Sequence, residues 1–354
     1  MLKRVVFITA VFACTLSFLA GGTARLDPVR EEGIISFSAG SPLLMDDYTK
    51  TGNGSLTESV NDIGDFKVFA RRNNDAVNPV FDGVTVTHSG DKWTYEDIQQ
   101  WNWQSTSDYY DFLAISPALS ATSRMDVSGN LAVSTHFDIS VDNYDLLYAE
   151  YHRQGTVSNP SSVVTMPFKH LTSAVQIVFR NKSDATSVTL NSYKFKNLTV
   201  AGDAKVSLDA FGVAYPEWIN TERNGSDVRN YTIPGGKKTS AAGSSYSGDE
   251  FYNLMIPQRL DQAAGIGNLE VNMPRLFVSY TPEGGSETTA EIVLKSVTLL
   301  EDSTTPILTW ERGVKYIYYL DIRLDGGVKV TVVTTTWEPL PWEQVEGETP
   351  GILI

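Results

Sequence analysis

The sequence predicts an all-β protein built from two β-sandwich domains in tandem. Apolar and polar residues alternate with a period of two in most patterned segments, for example in Val175–Phe179 and Val328–Trp337. Gly, Asn, Asp and Ser cluster between these segments, and such residues favour turns because they tolerate positive φ angles. Helical periodicity is nearly absent, and only Thr94–Trp101 has some helical character. Many short strands joined by frequent turns indicate sandwiches.

Strand candidates follow one another along the chain, with the alternation that a strand with one buried face requires. In chain order they are IISFSAG, DFKVFARR, GVTVTHSG, DFLAIS, LAVSTHFDISV, DLLYAEYH, VQIVF, SVTLNSYKF, RLFVSYT, AEIVLKSVTLL, VKYIYYLDIRL and VKVTVVTTTW. In the first candidate, Ile35 and Phe37 share a face and are expected in the core of the first domain. In VQIVF, Val175, Ile177 and Phe179 share a face and are expected to be buried.

A polar segment divides this strand-rich sequence into two blocks. The segment Arg153–Ser162 contains Gly and Pro and few apolar residues. We therefore place the domain boundary near Pro160. The N-terminal sandwich is then expected over residues 25–159 and the C-terminal sandwich over residues 160–354.

The N-terminus has the pattern of an export signal. Basic MLKR precedes the apolar stretch VVFITAVFACTLSFLA, which is too short for a comfortable membrane span. One interpretation is a signal peptide over residues 1–24, cleaved after Ala24. The alternative is a lipobox, VFAC, in which Cys14 is lipidated and becomes the new N-terminus. The chain is exported under both interpretations, and because Cys14 is its only cysteine, no disulfide framework is expected.

The composition argues against several classes of function. Acidic residues outnumber basic ones by 42 to 28, which gives a formal net charge of −14. Nucleic acid is therefore not an expected partner, and a membrane is expected only through an N-terminal lipid. The four histidines lack metal-ligand spacing, and the sequence contains no HExxH, nucleophile elbow or phosphate-binding loop. We expect no catalytic residue, no metal and no cofactor.

Lys169 and His170 stand at the start of an apolar run and could be read as an acid/base pair. Neither has an acidic or nucleophilic neighbour in the sequence. The structural interpretation is therefore preferred, in which His170 satisfies a backbone group at the start of a strand and Lys169 is exposed.

Aromatic residues are concentrated between Trp93 and Tyr110. Trp93, Trp101 and Trp103 could stack on sugar rings, and this would make the protein a surface glycan-binding lipoprotein. The interpretation that we favour is that the rings close the end of a sandwich, where large aromatic side chains bury well.

Several motifs, taken in order, resemble the Bacteroidales-type fimbrillin family, the pilins and pilus-associated lipoproteins of type V pili. The central motif pairs a D-L-L-x-A strand with a later F-x-H-x-x-S-x-V strand, here Asp145, Leu146, Leu147, Ala149, Phe168, His170, Ser173 and Val175. Further matching segments are FKVFA, YDFLAISP, NLMIPQ and WERGVKYIYYLDI, with Trp337 near the C-terminus. The resemblance extends from Ile34 to Trp337.

This resemblance implies two transthyretin-like β-sandwich domains and a non-enzymatic role as a pilus subunit or surface adhesin. It implies a lipoprotein of the outer membrane or cell surface, with partners that include other pilus subunits and a surface receptor or glycan. Subunits of such families polymerise by strand exchange after a protease removes the first strand, commonly at an arginine. Here the corresponding position carries Lys50, so an uncut subunit that caps or anchors the pilus stays open as the alternative to strand exchange. The candidate donor segment for strand exchange is the C-terminal Ile352, Leu353 and Ile354.

Overall fold

A computed structural model describes most of the chain. The described residues are 33–40, 63–73, 75, 78–89, 92–119, 121–125, 130–139, 142, 144–155, 163–183, 186–231, 238–241, 243, 245–263, 270–323 and 327–336. They form β-strands and 3-10 turns at Glu270–Asn272 and Leu294–Ser296, and these described residues contain no α-helix. Among the described residues, no helical segment is long and apolar enough to cross a membrane. The segment Thr94–Trp101 is not helical but bends after a short strand, with Asp97 at φ 54°.

The strands are numbered in chain order. Those before residue 171 are β1 (Phe37–Gly40), β2 (Phe66–Arg72), β3 (Phe81–Ser89), β4 (Lys92–Thr94), β5 (Tyr109–Ser116), β6 (Ala121–Met125), β7 (Leu131–Asp138), β8 (Leu147–Gln154), β9 (Val164–Pro167) and β10 (Lys169–His170). Those after it are β11 (Ser173–Asn181), β12 (Val188–Leu208), β13 (Ala214–Tyr231), β14 (Lys238–Ser240), β15 (Ser245–Met255), β16 (Gln258–Arg259), β17 (Arg275–Pro282), β18 (Thr288–Val293), β19 (Thr298–Leu299), β20 (Thr309–Trp310), β21 (Val314–Arg323) and β22 (Gly327–Thr336).

The first sheet, called the N-terminal sheet below, has six strands in the order β10-β8-β5-β2-β3-β4. One face packs under the small sheet of β1 and β9, with Phe66, Val68 and Phe112 in their shared core. The opposite face contributes Phe69 and Leu113 to the larger core of the molecule. Neighbouring strand residues point to opposite faces, so the central strands β2 and β5 of this sheet are buried on both sides.

A seven-stranded sheet, in the order β18-β17-β12-β7-β6, runs along the molecule, and β13 and β14 pair with β12 beside it. Strand β12 alone has 21 residues, a length of about 70 Å at roughly 3.3 Å per residue. A five-stranded sheet in the order β15-β11-β21-β22-β19 shares its core with this sheet, and β16 pairs with β20 separately. No sheet closes on itself in the described residues, so the fold is an all-β sandwich.

The burial expected from alternation is confirmed at both tested strands. Val175, Ile177 and Phe179 of β11 are buried in the larger core. Ile35 and Phe37 are buried in the core beneath β1. Period-two patterns therefore identified the inward faces of these strands correctly.

Strand pairing crosses the position at which the sequence suggested a domain boundary. Strands β6 and β7 precede residue 160 but join the sheet of β12, while β9 and β10 follow it but pair with β1 and β8. Pro160 itself lies outside the described residues. The division of the chain into residues 25–159 and 160–354 thus stays a prediction, and the two blocks share strands across it.

Candidate functional site

The N-terminal strand β1 is held by few backbone partners. It pairs in parallel with β9, with Phe37 opposite Val164 and Gly40 opposite Pro167. Just before it, the Ile35 N–H donates to the carbonyl of Gln99 at 2.9 Å. This strand is therefore attached to the N-terminal sheet mainly through side chains, and we call the place that it fills the β1 site.

Aromatic packing dominates the β1 site. The Phe37 ring lies among four other rings, with centroid distances of 6.4 Å to Phe66, 5.4 Å to Phe81, 5.6 Å to Tyr95 and 6.1 Å to Phe112. These contacts are edge-to-face, the arrangement that the ring quadrupole favours. Without β1, these four rings would border an open apolar groove.

Trp101 and Trp103 lie beside the start of β1 and stack on each other, with centroids 5.2 Å apart and planes 12° apart. The Arg153 guanidinium lies 4.8 Å from the Trp101 centroid, and Tyr110 meets both indoles edge-on. Trp93 stacks on the exposed His88 ring at a centroid distance of 4.5 Å and also contacts Phe66 of the β1 site at 5.0 Å. The indole faces of this group are thus in contact with protein side chains, and their use in binding a glycan stays a prediction.

The loop that carries Trp103 is fixed by one carboxylate. Asp108 accepts hydrogen bonds from the Gln104 amide at 2.7 Å, from Asn73 Nδ2 at 2.8 Å and from Arg72 Nη2 at 2.7 Å. Together, the amide of Gln104 and the side chains of Asn73 and Arg72 hold the pKa of Asp108 well below its usual range. The carboxylate is therefore ionised at neutral pH and serves as the anchor of this loop.

Lys169 and His170 each pair with a carboxylate, whereas the sequence predicted an exposed lysine and a histidine bonded to the backbone. Nδ1 of His170 lies 2.8 Å from Oδ2 of Asp145, and both side chains are fully buried. Thr172 donates to the other oxygen of Asp145 at 3.1 Å. Lys169 is not freely exposed, because its Nζ lies 2.6 Å from Oε1 of Glu150. Sequence reasoning missed both carboxylates, since they are distant in the chain.

This polar group lies where the N-terminal sheet meets the rest of the molecule. The Gly313 N–H donates to the carbonyl of Thr172 at 2.9 Å, and the Trp218 indole donates to the carbonyl of Leu171 at 3.1 Å. Arg312 donates to the Tyr148 hydroxyl at 3.0 Å. The group therefore links β8 and β10 to the second half of the chain. We call this group of contacts around Asp145, His170 and Thr172 the joint, and its role is structural.

The remaining predicted sites lie outside the described residues: Cys14, Lys50, Ile352, Leu353 and Ile354. The described part of the chain contains no group of three or more His, Cys, Asp or Glu residues placed to hold a metal ion.

The described architecture is that of an all-β sandwich protein with a short N-terminal strand packed over a group of aromatic rings. A family model described as fimbrillin-like matches residues 49–337. The chain belongs to the fimbrillin-like family, as its motifs had indicated. No curated protein is significantly similar to the sequence.

Solved structures with the same fold include proteins from Bacteroides and Parabacteroides. A fimbrial protein from Bacteroides vulgatus aligns with a TM-score of 0.56 and 14% identity, over 86% of this chain and 99% of its own. A candidate cell adhesion protein from Parabacteroides distasonis aligns with a TM-score of 0.52 and 11% identity, over 89% of this chain and 99% of its own. At these identities the likeness supports the fold alone.

Proposed function

We propose that this protein is a non-enzymatic fimbrial subunit or surface adhesin that joins other subunits by exchange of a β-strand at the β1 site. Membership of the fimbrillin-like family supports a fimbrial or cell-surface location and other pilus subunits as partners. The observation that carries the mechanism is the β1 site itself, where Ile35 and Phe37 of the N-terminal segment are buried and β1 pairs in parallel with the short strand β9.

The β1 site is more stable with a strand in it than empty, so loss of β1 favours its replacement by a strand from another subunit. Burying Ile35 and Phe37 is worth about 1.5–3 kcal/mol for each side chain. Removal of β1 exposes an apolar groove and leaves the backbone groups of β9 that face β1 without a strand partner. A strand from a second subunit restores both terms, with its alternate apolar residues in the places of Ile35 and Phe37.

The chain offers a donor and a processing position for this mechanism. Cleavage after Lys50 separates β1 from the rest of the chain, and the C-terminal Ile352 and Ile354 have the alternate spacing of groove-filling residues. In this proposal, cleavage at Lys50 opens the acceptor groove, and the C-terminal segment is the donor strand that fills the groove of another subunit.

A chain cut after Lys50 is expected to bind a peptide of residues 337–354 and to polymerise, whereas the uncut chain does neither. The cut is introduced by replacing Lys50 with a recognition site for a specific protease. Peptide binding is measured by fluorescence anisotropy and polymerisation by light scattering. A peptide with Ile352→Ser and Ile354→Ser is the matched control, since it keeps the length and removes the apolar anchors. A cut chain that stays monomeric and does not bind the peptide contradicts strand exchange through these segments.

Surface attachment through Cys14 is proposed from the lipobox pattern. Cys14→Ala is expected to abolish incorporation of a fatty-acid analogue and to release the protein from the membrane fraction or block its processing. Mass spectrometry of the N-terminus provides the decisive measurement, because a wild-type chain that begins at Arg25 and carries no lipid contradicts the anchor. The assembly mechanism does not depend on this result.

A further inference from the structure

An exposed apolar surface lies at the turn between β12 and β13, which we call the hairpin tip (residues 209–215). Phe211 is 78% exposed, Val213 50% and Tyr215 58%. The other large exposed apolar residues in the described part of the chain are Ile98, Val163, Val271, Leu300 and Leu308. None of these five has another within five positions, so the hairpin tip stands out. Contiguous exposed apolar side chains of this kind mark interaction surfaces.

Hydrogen bonds to Asp209 hold the backbone of the hairpin tip. The Asp209 carboxylate accepts hydrogen bonds from the amides of Phe211 at 2.8 Å and Val213 at 2.9 Å, and from the Tyr215 hydroxyl at 3.3 Å. The Asp209 amide in turn donates to the carbonyl of Val213 at 3.0 Å. The backbone that carries the apolar side chains is therefore already ordered, and a partner that binds there loses little free energy to the ordering of the loop.

The hairpin tip also rests on the N-terminal sheet. Gly212 has φ +75°, and a Cβ added there would lie 2.7 Å from the Cβ of His152 and 2.8 Å from Oδ1 of Asp111. Asp111 is fully buried, and its Oδ1 lies 2.6 Å from Nδ1 of His152. Only glycine fits this approach, so the second half of the chain is seated directly on β5 and β8.

This seat is at the same end of the N-terminal sheet as the start of β1. His152 and Arg153 are neighbours in β8, so their side chains point to opposite faces. His152 contacts the hairpin tip, while Arg153 lies 4.8 Å from the Trp101 ring on the other face. The Trp101 amide donates to the carbonyl of Gly33 at 2.7 Å. The hairpin tip and the entrance to the β1 site thus flank one end of the sheet.

The opposite end of the β1 site lies toward β10. There β1 ends with Gly40 beside Pro167, and the chain continues through β10 to the joint around Thr172 and Gly313. A C-terminal donor strand that runs in the direction of β1, parallel to β9, is preceded by the body of its own subunit, which then lies at the end that carries the hairpin tip.

We propose that the hairpin tip is the surface against which a second copy of this chain packs when its strand fills the β1 site. Phe211 and Val213 are the apolar anchors of this contact. The inference rests on the proposed strand exchange, and it adds a second, separate contact between the same two subunits. An inserted strand alone is a small interface, and a fixed apolar patch beside it increases the buried area toward that of a stable complex.

The test compares two double variants in the cut chain described above. Phe211→Ser/Val213→Ser is expected to weaken association between subunits at least about tenfold, as loss of central apolar anchors does. Its affinity for the free peptide of residues 337–354 is expected to be unchanged, because the peptide fills only the β1 site. Val271→Ser/Leu300→Ser removes comparably exposed apolar side chains elsewhere. It is expected to change neither the association between subunits nor the affinity for the peptide.

Subunit association is measured by analytical ultracentrifugation, peptide affinity by anisotropy, and folding by thermal melting. Equal association for both double variants overturns the inference and leaves strand exchange intact. Loss of peptide affinity together with association also overturns it, since the patch then acts on the β1 site itself. If the parent cut chain neither binds the peptide nor associates, the proposed function and the inference both fail.

Discussion

Replacing Asp145 with alanine is expected to lower the free energy of unfolding by about 3–5 kcal/mol, because a buried pair loses one partner. Asp145 and His170 are both fully buried, with 2.8 Å between Oδ2 and Nδ1. Thr172 also loses its acceptor, and a buried polar group without a partner costs its full desolvation. Urea unfolding of the protein, followed by circular dichroism, measures the change.

The chain supplies a matched control for this prediction. His136 and Asp203 form the same kind of pair at 2.9 Å, but the His136 side chain is 62% exposed. His136→Ala is expected to cost less than about 1 kcal/mol, since water replaces the lost partner. Equal effects for the two variants would mean that the joint around Asp145 does not depend on its buried pair.

Alternation was sufficient to predict many of the strands and the inward faces of β1 and β11, because burial of one strand face leaves a direct period-two record in the sequence. The positions of Ile35, Phe37 and Val175 follow from that record. The family motifs then selected the sandwich arrangement from among the possible all-β folds. The strand faces and the sandwich arrangement could both be inferred from residues that are close together in the sequence.

The polar joint could not be predicted in the same way. His170 is 25 residues from Asp145, and Lys169 is 19 residues from Glu150. Such pairs are created by the register of β8 and β10, which no local pattern specifies. The D-L-L-x-A and F-x-H motifs did contain Asp145 and His170, and this joint presence was the only signal for their contact.

The long hairpin of β12 and β13 was also missed beyond its first residues. Its pairing shifts register at several places, between Lys194 and Phe195 and again between Thr199 and Ala201. Each bulge moves later side chains to the other face, so the alternation is interrupted. Asn197 and Asn220, with φ angles of 61° and 51°, resemble turn residues for the same reason.

A chain limited to residues 25–159 is expected not to fold cooperatively on its own. It retains β2, β5 and β8 of the N-terminal sheet but lacks β9 and β10. It also lacks β12, which pairs with β7 and contributes Val206 and Leu208 to the core that contains Phe69. Both faces of the sheet therefore lose part of their cover, and an uncovered apolar sheet in water is not stable.

Co-expression with residues 160–354 is the matched control, because it restores β9, β10, β12 and β13 without restoring the covalent link. The two pieces are expected to copurify and to show one cooperative urea transition, whereas residues 25–159 alone show none and bind a hydrophobic dye. Dispersed amide signals in the NMR spectrum of the isolated piece would contradict this expectation. They would establish residues 25–159 as an independent domain, with the shared sheet as a contact formed only after each block has folded.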